Sequence, residues 1–221
     1  MIHSYYKIKT DKNFNEDFKT YSTIGVLQYL HTQLFWNIIR NSVADNGSMP
    51  QSAGRMLKID FWDKWYDTEG TSNSNHVEPD VFIRFENFDC IIEVKKEDSH
   101  GQYEKQWTNQ KTAYKNKYGE GKLIYIALGG NSNLDTSSRE GVYKSTWQRL
   151  LYEIDNALKE RNSIEYKTDT IDKEIIILQS VVDAFACYNE YVVEFLDKLK
   201  QYNYAIKQPT KELFDQLWKE V

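Results

Sequence analysis

Asp80, Glu93 and Lys95 have residue types and spacing that could do chemistry. They flank residues 81–92, in which two short apolar runs are joined by a polar turn. Apolar runs broken by a short polar turn predict a β-hairpin. This hairpin would bring two carboxylates and one ammonium together at its open end. Such a set suits a divalent cation and a phosphodiester.

A turn centred on residues 86–87 predicts the register of the hairpin. The expected cross-strand pairs are Phe85 with Phe88, Ile83 with Cys90, Val81 with Ile92, Arg84 with Asp89, Phe82 with Ile91, and Asp80 with Glu93. Directly opposed residues have Cβ atoms about 4.5–5.5 Å apart, so two carboxylates would meet there, which is unfavourable unless a cation lies between them. Lys95, two residues after Glu93, would point the same way.

The Pro79-Asp80 and Glu93-Val94-Lys95 motifs resemble those of the PD-(D/E)xK nuclease superfamily. That superfamily includes restriction endonucleases, resolvases, and repair and defence nucleases. The resemblance covers roughly residues 20–130. It implies an α/β fold, namely a restriction-endonuclease-like mixed β-sheet flanked by helices in the order helix, three strands, helix, strand. A helical C-terminal extension would follow.

The resemblance also implies roles for the motif residues. Asp80 and Glu93 would be metal ligands, and the backbone carbonyl of Val94 would be a third. Lys95 would orient the attacking water or stabilise charge on the phosphate. Two carboxylates, a carbonyl and waters suit Mg²⁺ or Mn²⁺ rather than a soft metal. The expected function is therefore Mg²⁺-dependent hydrolysis of nucleic acid, with DNA favoured over RNA, in defence, restriction or repair.

Many superfamily members carry a glutamine on the helix that follows this motif. Gln102, Gln106 and Gln110 share one helical stripe at i, i+4 and i+8. Gln106 is the candidate for the catalytic role. The other two are expected to face solvent or substrate.

Many members also place an acid on the first helix to complete the metal site. The helix predicted over residues 22–42 contains no Asp or Glu, and its polar face offers Gln28 and His31 instead. His31 is interpreted as an ordinary helix residue. Glu16 lies just upstream of this helix. The third acidic ligand is therefore expected to be missing or to come from elsewhere.

Composition limits the possible classes of protein. The chain has 221 residues, of which 40% are hydrophobic and 14% aromatic, as expected of a globular fold and not of disorder. The sequence contains no run of 18 apolar residues, so no membrane span is expected. Residues 1–7 lack the apolar core of a signal peptide. Two cysteines provide no disulfide framework or zinc spacing. We therefore expect a cytoplasmic protein without a membrane partner.

The net charge of −5 is not typical of a tight nucleic-acid binder. Residues 95–122 are an exception, because they contain seven lysines and four acids. This local excess is a candidate phosphate-facing surface. An ordinary solvated helix face explains it equally well.

Hydrophobic periodicity predicts the remaining elements. They are a helix near 22–42, a strand within 56–67, a helix near 102–117, a strand over 122–128 and a helix over 145–159. Residues 69–76 are predicted to form a flexible polar loop that either closes over substrate or is slack.

Two regions are predicted, a nuclease-like domain over residues 1–165 and a helical extension over 166–221. Apolar residues recur every seven positions from 171 to 203, which predicts one long amphipathic helix. Packing of this helix on the core is favoured, and a homodimer contact is the alternative. A final helix capped by Thr210 is predicted after Pro209.

Two rival functions remain open. The first is a catalytically inactive binding or assembly module on the same fold, which the missing first-helix acid and the acidic net charge favour. The second is an unrelated interaction domain that acts through its long C-terminal helix. Opposed carboxylates beside a lysine argue against the first, because a binding module has no need of them.

Overall fold

The computed structural model describes residues 16–97, 101–131 and 141–192. The helices in these ranges are α1 Glu16–Leu27, α2 Thr32–Ser42, α3 Glu104–Tyr118, α4 Trp147–Asn162 and α5 Asp169–Ala186. The strands are β1 Met56–Phe61, β2 Val81–Phe85, β3 Asp89–Val94, β4 Leu123–Leu128 and β5 Val142–Ser145. The chain divides into two compact units between residues 191 and 192, and the description below concerns the first unit.

The five strands form one mixed sheet in the order β1-β2-β3-β4-β5. Strands β1, β2 and β3 pair antiparallel, whereas β3, β4 and β5 pair parallel. Parallel neighbours need a long crossover, and α3 lies in the crossover between β3 and β4. The prediction of an α/β fold with a mixed sheet flanked by helices is confirmed.

The predicted hairpin register is confirmed. The observed partners are Val81 with Ile92, Phe82 with Ile91, Ile83 with Cys90, and Arg84 with Asp89. At the turn, the Phe85 N–H donates to the Phe88 carbonyl over 2.9 Å. The Arg84 guanidinium also donates to Asp89, with 3.2 Å between Nε and Oδ1. The same register brings residue 80 beside residue 93 at the open end.

Both faces of the hairpin are buried, as is typical of central strands with near-continuous apolar sequence. Helix α3 covers one face, where Phe82 packs on Tyr114 of the helix and on Trp65. Helix α2 covers the other face, where Trp36 packs on Phe85 and Phe88. Helices thus pack on both faces of the hairpin, and its open end lies where β2 begins and β3 ends, within the interior of the sheet.

The single helix predicted near residues 22–42 is wrong, because the chain forms α1 and α2 with a break between them. After Leu27 the backbone tightens, with the Leu30 N–H donating to the Leu27 carbonyl over 3.0 Å. His31 has an extended backbone and caps α2 by accepting the Gln33 N–H at Nδ1. His31 is therefore a helix cap. The helix before this break, α1, also includes Glu16, which lies before the predicted start near residue 22.

The prediction of one long helix over residues 171–203 is wrong about its length, because α5 ends at Ala186. Asn189 has a φ of 58°, a left-handed conformation that a helix cannot contain. The buried stripe of α5 includes Leu178, Val181 and Phe185 and packs against α1 and α4. Residues 193–203 and the helix predicted after Pro209 lie outside the described residues.

The other predicted elements differ mainly in their ends. Helix α3 begins at Glu104, and the helix predicted from residue 145 begins at Trp147, after the short strand β5 that periodicity missed. Within the described part of the chain, every helix is too short or too polar to traverse a lipid bilayer.

Candidate active site

Asp80 lies at the open end of the hairpin and is fixed by backbone groups. Its Oδ2 accepts the Val94 N–H over 2.7 Å, which joins the start of β2 to the end of β3. Its own carbonyl accepts the Trp62 N–H over 3.2 Å, just after β1. Three consecutive strands therefore hold the Asp80 carboxylate beside Glu93.

Glu93 is a fully buried carboxylate, with 0% of its surface exposed. Its Oε1 accepts hydrogen bonds from Lys95 Nζ over 2.6 Å and from Gln106 Nε2 over 2.5 Å. Its Oε2 accepts one from Gln110 Nε2 over 2.6 Å. Burying a charge is costly unless it is paired and hydrogen-bonded, and these donors meet that requirement.

Gln110 is held in the orientation that lets it donate to Glu93. The Tyr125 hydroxyl of β4 donates to Gln110 Oε1 over 2.5 Å. Burial, together with the charges of Glu93 and Asp80, raises the pKa of Tyr125, so its phenol stays neutral and remains a donor. The expectation that Gln110 faces solvent or substrate is wrong, since it is 1% exposed.

Gln102 precedes α3, is half-buried and has a structural role. Its Nε2 donates to the carbonyls of Glu93 and Gly129, each over 3.2 Å. Its Oε1 accepts the Trp107 indole N–H over 2.8 Å. Gln102 therefore joins the ends of β3 and β4 to the start of α3.

Lys95 lies among the oxygen atoms of the site. Its Nζ is 2.6 Å from Glu93 Oε1, 2.8 Å from the Val94 carbonyl oxygen and 3.9 Å from Glu16 Oε1. The Val94 carbonyl, which was predicted as a metal ligand, here accepts a hydrogen bond from this ammonium. The structure thus brings all five predicted site residues, Asp80, Glu93, Val94, Lys95 and Gln106, to one place.

Glu16 is the residue that the sequence interpretation missed as part of the site. It is the first residue of α1, and its Oε2 accepts the Lys96 N–H over 2.8 Å. The first helix therefore does bring an acid to the hairpin end, and the expectation of a helix without one is corrected. The pair Glu16-Asp17 is the sequence signal that could have placed a helix start here, since acidic residues are favoured in the first turn of a helix.

Lys19, one turn after Glu16, is fully buried and fixes the chain that follows β3. Its Nζ donates to the Lys96 carbonyl over 3.2 Å and to Glu190 Oε1 over 2.6 Å. The ammonium also lies 4.2 Å from the centroid of the Trp147 ring, within the range of a cation–π interaction. Sequence pattern gave no sign of this buried cation.

The backbone of Lys95 is held from two further directions. The Trp147 indole N–H donates to the Lys95 carbonyl over 2.7 Å, and the Lys95 N–H donates to the Leu128 carbonyl over 2.9 Å. Gly129 must be glycine here, because its φ is 71° and a Cβ would lie 2.1 Å from the Lys95 carbonyl oxygen. This close packing fixes where the Lys95 side chain begins.

The site carries an excess of negative charge. Burial and the nearby charge of Glu93 raise the pKa of Asp80 to about 8, with Glu16 adding to the effect, although Val94 and Lys95 oppose it. Burial disfavours the charged form of Lys95. The charge and hydrogen bond of Glu93, together with Asp80 and Glu16, outweigh that cost and raise the pKa of the ammonium. Three carboxylates therefore surround one cation.

The oxygen donors of the site are of the types that a hard divalent cation prefers. Among the described residues, no group of three or more His, Cys, Asp or Glu side chains is arranged to hold a metal ion. A cation would therefore use the carboxylates of Asp80 and Glu93, the Val94 carbonyl and water, a set that suits Mg²⁺, which keeps several of its waters. The raised pKa of Asp80 is also consistent with a metal site, because a metal ion would add a second cation beside Lys95 and compensate the buried negative charge.

Comparison with family models, with curated proteins and with solved structures finds no match for this chain.

Proposed function

We propose that this chain is a divalent-metal-dependent nuclease of the PD-(D/E)xK type that hydrolyses phosphodiester bonds, with DNA favoured over RNA. The observation that carries the proposal is the contact of Glu93 with both Lys95 and Gln106, beside Asp80, at the end of a central hairpin. Opposed carboxylates are unfavourable for folding unless a cation lies between them. They are the groups that phosphodiester hydrolysis needs.

The order of elements also supports a restriction-endonuclease-like fold. The described chain runs through helices, three antiparallel strands, a helix and a parallel strand, which is compatible with the order that the motif resemblance implies. Glu16 on the first helix would correspond to the acid that many members of that superfamily place on their first helix.

Each residue of the site has a distinct part in the proposed reaction. A bound Mg²⁺ or Mn²⁺ would polarise the phosphoryl oxygen and lower the pKa of a bound water. Asp80, Glu93 and the Val94 carbonyl would hold that ion. Lys95 keeps a positive charge where negative charge develops on the phosphate, and Gln106 fixes the Glu93 carboxylate.

One observation favours the alternative of a catalytically inactive binding or assembly module on the same fold. Both oxygens of Glu93 are bonded to donors of the protein itself, and its side chain is fully buried. An ion could reach Glu93 only if Lys95 Nζ moved away from it.

A cleavage assay tests the proposal. Purified protein is incubated with single- and double-stranded DNA and RNA in Mg²⁺, in Mn²⁺ or in EDTA. We expect metal-dependent cleavage, and a loss of at least about 100-fold in rate for Asp80→Ala and for Lys95→Ala, as for other groups that stabilise developing charge. Glu86→Ala, at the opposite and exposed end of the same hairpin, is the control and should cleave normally. Cleavage that survives Asp80→Ala would refute the assignment, and metal binding without cleavage would favour the inactive module.

A further inference from the structure

A cleft lies beside the glutamines that donate hydrogen bonds to Glu93. It has a volume of about 450 Å³, and its lining includes Ser72, Asn73, Glu78, Tyr103, Lys105 and Gln106. One wall is the segment that leads into Asp80. The other wall is the start of α3, which carries the glutamines bonded to Glu93. A molecule in this cleft would therefore contact Gln106 and Gln110, the two side chains that join the cleft to the Glu93 carboxylate.

The wall formed by residues 67–76 is fastened to α3, although the sequence predicted a flexible loop there. The Asn109 side chain accepts the Ser72 N–H over 3.1 Å and donates to Ser72 Oγ over 2.8 Å. Two turns further on, Asn116 Nδ2 donates to the carbonyls of Asp67 and Glu69 over 3.0 and 2.8 Å. The cleft is thus preformed, which lowers the entropy cost of binding.

The free groups of the cleft match the parts of a nucleotide. The Tyr103 ring is 66% exposed, and an exposed aromatic ring stacks on any base. Lys105 is exposed beside it and can meet a phosphate. On the opposite wall the Glu78 carboxylate would repel an anionic group, so such a group is favoured on the α3 side.

The size and charge of the cleft exclude a duplex within it. A volume near 450 Å³ suits one small ligand or one nucleotide unit. Two nearby lysines of α3 are paired with acids, since Lys115 pairs with Glu120 and Lys117 pairs with Asp63 over 3.4 Å. Binding of an intact duplex draws on many free cations along its backbone.

We propose that this cleft is the subsite for one unstacked nucleotide, and that the substrate is single-stranded nucleic acid. Tyr103 stacks on the base, Lys105 meets the phosphate, and the next phosphodiester lies at the carboxylates. This inference rests on the proposed nuclease function and assigns its substrate class.

Equilibrium binding of a fluorescent 12-nucleotide single strand tests the subsite, with Ca²⁺ in place of Mg²⁺ and a duplex of the same sequence for comparison. We expect Tyr103→Ala to weaken single-strand binding about 10- to 100-fold, as stacked aromatics do. Tyr103→Phe keeps the ring and should bind like the parent chain. Tyr166→Ala, which removes another exposed ring far along the chain, is the matched control.

The same variants separate this inference from the proposed function. Two outcomes would overturn the subsite and leave the proposed nuclease function intact. One is metal-dependent cleavage that needs Asp80 but is unchanged in Tyr103→Ala. The other is tighter binding of the duplex than of the single strand. Single-strand binding that needs the Tyr103 ring, without Mn²⁺ binding or cleavage, would support the subsite and overturn the nuclease. Unchanged Mn²⁺ affinity in Tyr103→Ala would show that the variant retains the carboxylate site.

Discussion

Titration of the metal-free protein with Mn²⁺ near pH 7 is expected to release about one proton for each ion bound. The pKa of Asp80 is raised to about 8 by burial and by the charge of Glu93. At pH 7 such a group is about 0.9 protonated, and a metal ion binds only the deprotonated carboxylate. At pH 9 the protonated fraction falls to about 0.1, so the release should nearly disappear.

Calorimetry in two buffers with different protonation enthalpies measures this release directly. The apparent Mn²⁺ affinity should rise by up to about tenfold per pH unit below pH 8 and level off above it, because the proton competes with the ion. Asp80→Asn cannot lose a proton and should bind Mn²⁺ weakly, without buffer dependence. Glu86→Gln is the control, since this exposed side chain lies at the far end of the hairpin. Mn²⁺ affinity that is the same at pH 6 and pH 9 would refute the reasoning.

Three further predictions concern the packing of the site. The metal-free protein should lose stability as pH rises from about 4 to 8, by up to about 1.4 kcal/mol per pH unit. The reason is that Asp80 loses its proton at lower pH in the unfolded chain than in the folded protein. The free energy of unfolding measured in urea should show this slope, and Asp80→Asn should flatten it. Lys19→Met should cost about 3 kcal/mol in urea unfolding, because it leaves Glu190 without its buried partner, and Lys19→Met with Glu190→Gln should recover part of that loss. An equal loss in the double variant would contradict this pairing. Gly129→Ala should displace Lys95 and abolish Mn²⁺ binding, whereas Gly47→Ala, with open space around its Cβ position, should leave it unchanged.

The hairpin could be predicted from sequence because its determinants are local. A polar turn and apolar cross-strand pairs within residues 81–92 select one register, and a slip by one residue would move every side chain of one strand to the other face of the sheet. Everything that follows from that register, including the meeting of Asp80 with the end of β3, was accessible from the sequence.

The first helix could not be predicted in the same way. The buried side of α1 includes Lys19, Thr20 and Thr23, so it carries no clear apolar stripe. What fixes the helix is its contact with distant residues, since Glu16 bonds to a residue 80 positions away and Lys19 to one 171 positions away. Such contacts have no local pattern.

The orientation of α3 was only half predictable. The aromatic residues of α3 predicted its buried side correctly at Trp107 and Tyr114, but Tyr103 is exposed, and the glutamine spacing did not predict that Gln110 is buried. Tyr125 of β4 and the buried Glu93 decide this, because each needs a hydrogen-bond partner inside the protein.

A crystal grown or soaked with Mn²⁺ tests the central claim most directly. The account predicts an anomalous scattering peak at the open end of the hairpin, about 2.0–2.2 Å from an oxygen of Asp80, with Glu93 or the Val94 carbonyl as a second ligand and Lys95 displaced from Glu93. A crystal saturated with Mn²⁺ that shows no peak there, with Lys95 still bonded to Glu93, would contradict it.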